Sequence, residues 1–280
     1  MRIAITGAAG LFGHALVEAF SSRHTVFPMT RTEADITDAE AVRAALARMR
    51  PEVVVHPAGI PDLDIADADP AQAHLVNVQG TRHVAESAHA VEAGVVYIST
   101  DAVFNGQNTR PYVESDPPCP ITVYGRTKLD GEAVVQTLPE HWIFRVPVLF
   151  GPGKTNFVEK GLRKIVSGEQ YFVASDQEGC ATYTLDAAYK IMEVVEARRY
   201  GLYHLANQGA CTRYELARRA AELAGLDPGH VVGVPADQLG RRAPRLKYAV
   251  MEMAALRAVG FSLPRPWQEA LAEYVRTLSL

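Results

Sequence analysis

Cysteine is scarce. The 280 residues hold three, Cys119, Cys180 and Cys211, odd in number and far apart. That excludes a disulfide framework, offers no zinc-ligand spacing, and fits a reducing cytoplasm. Long apolar runs are lacking too, so no segment is expected to cross a membrane. The first apolar residues already read as a strand, so no signal peptide is expected. Neither sign of charge dominates: 28 Lys and Arg against 32 Asp and Glu leave a net −4, which gives no reason to expect nucleic acid or an anionic membrane as partner. No repeat period and no low-complexity linker is present. What the chain does have is apolar substance, 48% hydrophobic residues, enough for a sizeable core in one large domain or one and a half.

The first motif comes at once. Arg2 to Thr6 is a short apolar run that stops at Gly7, and Leu11, Ala15, Leu16, Ala19 and Phe20 then recur at helical spacing. Between them lies Gly7-Ala8-Ala9-Gly10-Leu11-Phe12-Gly13, a G-x-x-G-x-x-G element. Strand, glycine turn and helix in this order form a dinucleotide site. The glycines let the backbone approach a pyrophosphate, and the helix start offers unpaired N–H groups to it. The plainer reading is an ordinary strand-to-helix turn. A second strand, His24 to Met29, ends at Thr30-Arg31. NAD sites carry an acidic residue there, whereas a guanidinium suits a 2′-phosphate. NADP is therefore expected over NAD. Asp35 and Ile36 could edge the adenine pocket, and Asp38 reads as the N-cap of a helix running to Met49.

Val53 to His56 is an uninterrupted apolar strand, as in a parallel sheet buried on both faces. Pro57, Ala58 and Gly59 would then pass beneath the cofactor. Asp62, Asp64, Asp67 and Asp69 follow closely. They could be a solvated loop opening a helix, a magnesium-binding patch or a substrate-facing loop. One long helix is expected from Pro70 to about Ala93, with Asn77 buried among apolar residues and tying sheet to helix. Val95 to Ile98 is a fourth strand ending in Ser99-Thr100-Asp101, and its carboxyl end is where such sheets place ligands. A proline-rich loop leads to Val123-Tyr124-Gly125-Arg126-Thr127-Lys128. On a helix, Tyr124 and Lys128 leave the same face one turn apart. An ammonium beside a phenol favours the phenolate and lowers its pKa, which would fit Tyr124 to exchange a proton with a carbonyl oxygen. Such a pair is common on solvated helix faces. It gains meaning only beside a nicotinamide site and a hydroxyl partner, which the glycine motif and Ser99-Thr100 supply.

Trp142 to Val146 is another central strand, and after Gly151 the character changes. Phe157 to Val166 reads as helix, Tyr171 to Val173 as strand, Asp176 to Thr184 as a polar loop and Leu185 to Glu196 as helix. Leu202 to Leu205 reads as strand, Arg213 to Ala224 as helix, Arg241 to Arg245 as a basic loop, and Ala254 to Val259 and Trp267 to Leu278 as helices. The basic loop is either a solvated charge run or a phosphate site.

Together these stretches resemble the extended short-chain dehydrogenase/reductase family over nearly the whole chain. The likeness is carried by the glycine motif, Asp35-Ile36-Thr37-Asp38, Ser99-Thr100-Asp101, Tyr124 to Leu129, Lys154 to Val158, Asp176 to Gly179, Gly201 to Leu205 and the late arginine-rich loop. The resemblance implies an α/β fold: a Rossmann-type doubly wound parallel sheet in residues 1–150, joined by later segments, and a smaller C-terminal substrate-binding cap mainly in 151–280. It implies Thr100 bonding the substrate oxygen, Tyr124 as proton donor, and Lys128 on the nicotinamide ribose. It also implies Asp101, Asn156 and Arg245 facing a sugar-nucleotide substrate, with a homodimer as the common assembly. Pro61, Ala102, Val146-Pro147-Val148, Leu246 and Ala249 depart from the pattern, several of them at positions that line the family's sugar pocket. Two other readings share the fold: a cofactor-binding regulatory subunit like that of methionine adenosyltransferase, and an epimerase.

Overall fold

The computed structural model describes residues 1–280. It opens with β1 (Arg2–Thr6), α1 (Leu11–Ser21), β2 (Thr25–Met29), α2 (Ala39–Met49) and β3 (Val53–His56). Next come α3 (Leu63–Ala68), α4 (Pro70–His74), a π-helical turn (Leu75–Gln79), α5 (Gly80–Ala90), β4 (Gly94–Thr100), α6 (Val123–Val135), β5 (His141–Val146) and β6 (Val148–Phe150). The second half holds α7 (Phe157–Val166), β7 (Tyr171–Ala174), β8 (Glu178–Gly179), β9 (Ala181–Tyr183), α8 (Thr184–Glu196), β10 (Gly201–His204), β11 (Cys211–Thr212) and α9 (Arg213–Leu223). The chain closes with β12 (Val231–Val234), β13 (Tyr248–Ala249), α10 (Ala254–Ala258) and α11 (Trp267–Thr277).

The central sheet has the order β10-β5-β4-β3-β1-β2, with every neighbour parallel. Alternate residues of its inner strands serve opposite layers, as the period of two requires. Ile3, Ile5, Val53, Val55, Val96 and Ile98 join Leu16 and Phe20 of α1 and Ile191 of α8 in one core. Ala4, Val54, Val95 and Tyr97 join Val42 and Leu46 of α2 and Val84 and Ala88 of α5 in the other. This two-sided burial explains the unbroken Val53-Val54-Val55 run. A third core is built from Leu162 of α7, Val173 of β7, Leu216 of α9 and Trp267, Leu271 and Tyr274 of α11. Thus α8 and β10 come late in the chain yet belong to the central sheet and its layers.

The strand order puts β2 on one side of β1 and β3 on the other. The chain therefore leaves β1 in opposite directions, and a crevice opens above the carboxyl ends.

Two expectations change. The long helix from Pro70 ends at Ala90 and is interrupted by the π turn. There the Asn77 side chain accepts from Ile60 N at 2.7 Å and donates to Ile60 O at 3.2 Å and Thr127 Oγ1 at 3.0 Å. A fully buried amide needs such partners, and the widened turn fits them. The presumed loop Asp176 to Thr184 contains β8 and β9, whose partners are remote in sequence: β11, β13 and β6.

Candidate active site

The glycine turn forms the floor of the crevice. Gly7 has φ +57°, and a Cβ there would lie 2.9 Å from Ala58 Cα. A Cβ on Gly13 would run into the Gly7 carbonyl, so the start of α1 can sit against the end of β1 only if residue 13 is glycine. Gly10 caps α1 without a side-chain bond, which leaves first-turn amides free for an anion. These features fit a dinucleotide pyrophosphate. Arg31 stands just beyond β2, 83% exposed, with its Nε 3.8 Å from Asp35. Asp35 accepts from Thr37 N at 2.9 Å and Thr37 Oγ1 at 2.8 Å, and these bonds hold its carboxyl below the usual range. Ile36 is buried against Gly80, where a Cβ would come within 2.8 Å of its Cδ1. Asp38 caps α2 through the amides of Glu40 and Ala41, as its position before the helix suggests.

Thr100 closes β4. Its hydroxyl donates to Asp101 Oδ1 at 2.9 Å and accepts from Ala102 N at 3.1 Å. Across from it, Thr122 caps α6 through Gly125 N at 2.9 Å, which sets Tyr124 in the first turn. Gly125 packs directly on the Ala102 carbonyl, where a Cβ would not fit. The helix start and the strand end are thereby pressed together. Burial raises the Tyr124 phenol above its ordinary pKa, the Thr100 hydroxyl opposes this, and Asp101 adds to it. Lys128 is 4% exposed, and its ammonium rests 4.0 Å from the centroid of the Tyr97 ring. Burial pushes it down to about 7, against the pull of Glu132. The expected lowering of the phenol by the ammonium is therefore not what the geometry produces. Desolvation outweighs it, and the lysine leans on Tyr97.

A cavity of about 1100 Å³ joins these parts. Ligand pockets usually run ~300–1,000 Å³, so there is room for a dinucleotide and a second ligand end to end. Its wall includes Gly7, Gly10, Leu11, Phe12, Gly13, Arg31, Asp35, Ile36, Pro57, Ala58 and Gly59. Thr100, Asp101, Tyr124 and Lys128 also line it, as do Arg213, Arg241 and Arg245. Pro61, Ala102, Val146, Pro147, Val148, Leu246 and Ala249, the departures from the family pattern, all face this cavity.

Arg241 belongs to the basic loop weighed above as a phosphate site, whereas Arg213 carries no mark in the sequence beyond opening a helix. Arg213 opens α9 with its guanidinium 5.4 Å from the Phe157 ring centroid. Burial lowers its pKa to about 10 while Asp101 raises it, and Asp101 is itself raised by burial. Only the assembled cavity distinguishes this arginine from any other at a helix start. Arg245 reaches the cavity but is clamped to Asp64, with nitrogens 3.2 and 2.9 Å from its two oxygens. Asn156, expected to face the substrate, is absent from the cavity wall. It caps α7 and donates to Gly151 O at 2.9 Å and Tyr274 Oη at 2.6 Å, so its amide is spent on holding the third core. Its neighbours Lys154 and Thr155 line the cavity instead.

The acidic stretch is structural. Asp62 and Asp69 cap α3 and α4, Asp64 bonds Arg245 and Ala243 N, and Asp67 pairs with Arg242 at 3.2 Å. No group of three or more His, Cys, Asp or Glu side chains is arranged to hold a metal ion.

The RmlD substrate binding domain family matches residues 1–280. The chain belongs to that family. A dTDP-4-dehydrorhamnose reductase of Streptomyces griseus is 39% identical over 280 residues, covering 97% of this chain and 92% of the relative. A dTDP-4-keto-6-deoxy-D-glucose reductase of Streptomyces niveus is 38% identical over 275 residues, covering 97% and 96%. Among solved structures, dTDP-4-dehydrorhamnose reductase from Bacillus anthracis in complex with NADP superposes with a TM-score of 0.95 at 32% identity, covering 99% of each chain. The resemblance to the extended short-chain dehydrogenase/reductase family is borne out over the full length, and it narrows to the dTDP-4-dehydrorhamnose reductases.

Proposed function

We propose that the chain is an NADP(H)-dependent reductase of a dTDP-linked 4-keto sugar, of the kind that yields dTDP-L-rhamnose. The observation that carries this reading is that Thr100, Tyr124 and Lys128 line one cavity together with a glycine cradle and a pair of arginines. The relatives' names support the substrate class. The NADP bound to the Bacillus anthracis structure supports the cofactor.

When bound, the cofactor supplies a hydride to the carbonyl carbon. Tyr124 gives its phenolic proton to the carbonyl oxygen, and Thr100 donates a hydrogen bond to that same oxygen. Lys128 holds the nicotinamide ribose and keeps positive charge beside the developing phenolate. Gly7, Gly10, Leu11, Phe12 and Gly13 take the pyrophosphate, Arg31 the 2′-phosphate, and Asp35, Ile36, Pro57, Ala58 and Gly59 the adenosine side. Asp101, Arg213 and Arg241 take the sugar nucleotide, with Arg245 holding the wall behind them. Residues 1–150 then serve as the cofactor half, completed by α8 and β10, and the layer around α7, α9 and α11 serves as the substrate cap. A cytoplasmic location and a homodimer belong to the same reading, and sedimentation of the purified chain checks the second.

Calorimetric titration with NADPH and NADH, followed by NADPH oxidation in the presence of dTDP-4-dehydrorhamnose, tests the proposal. Tight NADPH binding with turnover supports it. Binding without turnover on any 4-keto sugar nucleotide would favour the regulatory-subunit reading.

A further inference from the structure

The face of α6 that carries Tyr124 and Lys128 continues one turn further, to Glu132. That carboxylate is 1% exposed. It accepts from Arg145 Nε at 2.9 Å and from an Arg145 terminal nitrogen at 2.7 Å, and it also accepts the Ser99 hydroxyl. Ser99 and Arg145 are register partners on β4 and β5. Ser99 directly precedes Thr100. One buried carboxylate therefore ties the helix of Tyr124 and Lys128 to the strand end of Thr100.

We propose that Glu132 is a positioning residue for the reduction, fixing with Ser99 and Arg145 the Tyr124–Lys128 face of α6 against the Thr100 end of β4. This rests on the reductase reading above. A buried ion pair is weak evidence of stability, because desolvation offsets its attraction, so its presence here calls for another reason. The reason lies in geometry. Tyr124, Lys128 and Thr100 come from two elements that otherwise meet mainly through the Gly125–Ala102 contact and Tyr97, and a misplacement of about 1 Å can cost on the order of 100-fold in rate.

Glu132 also supports the Lys128 charge. Around that ammonium stand His56 from β3, Tyr97 from β4 and Glu132 from its own helix, while Tyr124 on the same helix has Asp101 near its phenol. Burial holds His56 at about 3, so it is neutral, and Tyr97 is held protonated. Arg145 on β5 is engaged by Glu132. On α3 to α5, which also pack on α6, Asp64 and Asp67 pair with arginines, His83 bonds Ile36 O, and His74, Arg82, Glu86 and His89 are exposed. Arg126 and Asp130 of α6 are exposed as well. Glu132 is thus the buried anion that favours the cationic lysine.

The test compares Tyr124→Phe, Ser99→Ala, and Glu132→Gln combined with Arg145→Met in the full chain. Removing both charges avoids stranding one of them. Readouts are thermal unfolding, NADPH affinity, and the single-turnover rate of NADPH oxidation with dTDP-4-dehydrorhamnose across pH. The double variant is expected to fold and bind NADPH within about twofold, yet lose roughly 10- to 100-fold in single-turnover rate. Loss of the anion lowers the lysine pKa, so its loss of activity on the alkaline side moves to lower pH. Ser99→Ala, a milder change that keeps the ion pair, is expected to lose about threefold to tenfold in rate at unchanged NADPH affinity. If the double variant does not fold, Ser99→Ala decides. Wild-type rates and an unshifted alkaline limb in a folded double variant overturn the inference, and where that variant does not fold, a wild-type rate in Ser99→Ala overturns it. Should Tyr124→Phe also keep its rate, it is the reductase reading that fails, not this inference alone.

Discussion

The two ends of the cavity are built by different means. On the proposed reading the cofactor end is made largely of backbone: Gly7, Gly10 and Gly13, a helix start, and the turns after β2 and β3, all within the first 60 residues. The proposed substrate end is made of side chains from five distant segments, around Asp101, Val148, Cys180, Arg213 and Arg241. A backbone site depends on local conformation, and a side-chain site depends on the tertiary fold. The first tolerates few residue types at each position, while the second can change specificity by exchanging single side chains. The departures at Pro61, Ala102, Val148, Leu246 and Ala249 all line the cavity, and the glycine cradle is complete.

The largest effect expected is at the join between the ends. Tyr124→Phe should reduce kcat by roughly 10²–10⁴-fold with NADPH affinity nearly unchanged, as measured by steady-state oxidation and calorimetry. Equal loss of cofactor binding would mean that the phenol serves the cofactor end instead. Next, Arg213→Ala should weaken the sugar nucleotide by on the order of 10- to 100-fold, the range for a lost hydrogen bond to a charged group, and leave NADPH binding alone. A matching loss for NADPH would erase the distinction between the two ends.

Gly7→Ala should act on the other end. The positive φ and the 2.9 Å approach to Ala58 put the strain in the cradle, costing about 1–3 kcal/mol of stability and weakening NADPH roughly tenfold. Thermal unfolding and calorimetry read both, and sugar-nucleotide affinity should hold. The smallest effect belongs to Arg31→Ala. Its side chain is 83% exposed, so solvent screens it, and a loss of about threefold to tenfold for NADPH with none for NADH is expected. Equal loss for both cofactors would remove Arg31 from the 2′-phosphate site.

This contrast also explains which parts of the site are legible in the sequence. Gly7 to Gly13, Arg31, Asp35 and the Asp38 cap are local signals, each interpretable from its neighbours. The Tyr124–Lys128 spacing is local too, and the strand end at Thr100 met it as the parallel topology implied. Arg213 carried no local mark, because its meaning comes from Asp101 and the cavity more than one hundred positions earlier in the chain. Asn156 looked like a ligand residue in a matching motif, but its role is set by Tyr274 near the other end of the sequence. The π turn at Leu75–Gln79 has no glycine or proline to announce it, since it answers to the buried partners of Asn77. The paired strands β8 and β9 are two and three residues long, too short for any periodicity to register.

The most direct test of the account is NADPH oxidation by the intact chain with dTDP-4-dehydrorhamnose, run beside Tyr124→Phe. The account predicts one NADPH consumed per sugar reduced, and near-complete loss in the variant. NADPH that binds tightly but is not oxidised by this or any other 4-keto sugar nucleotide would contradict it.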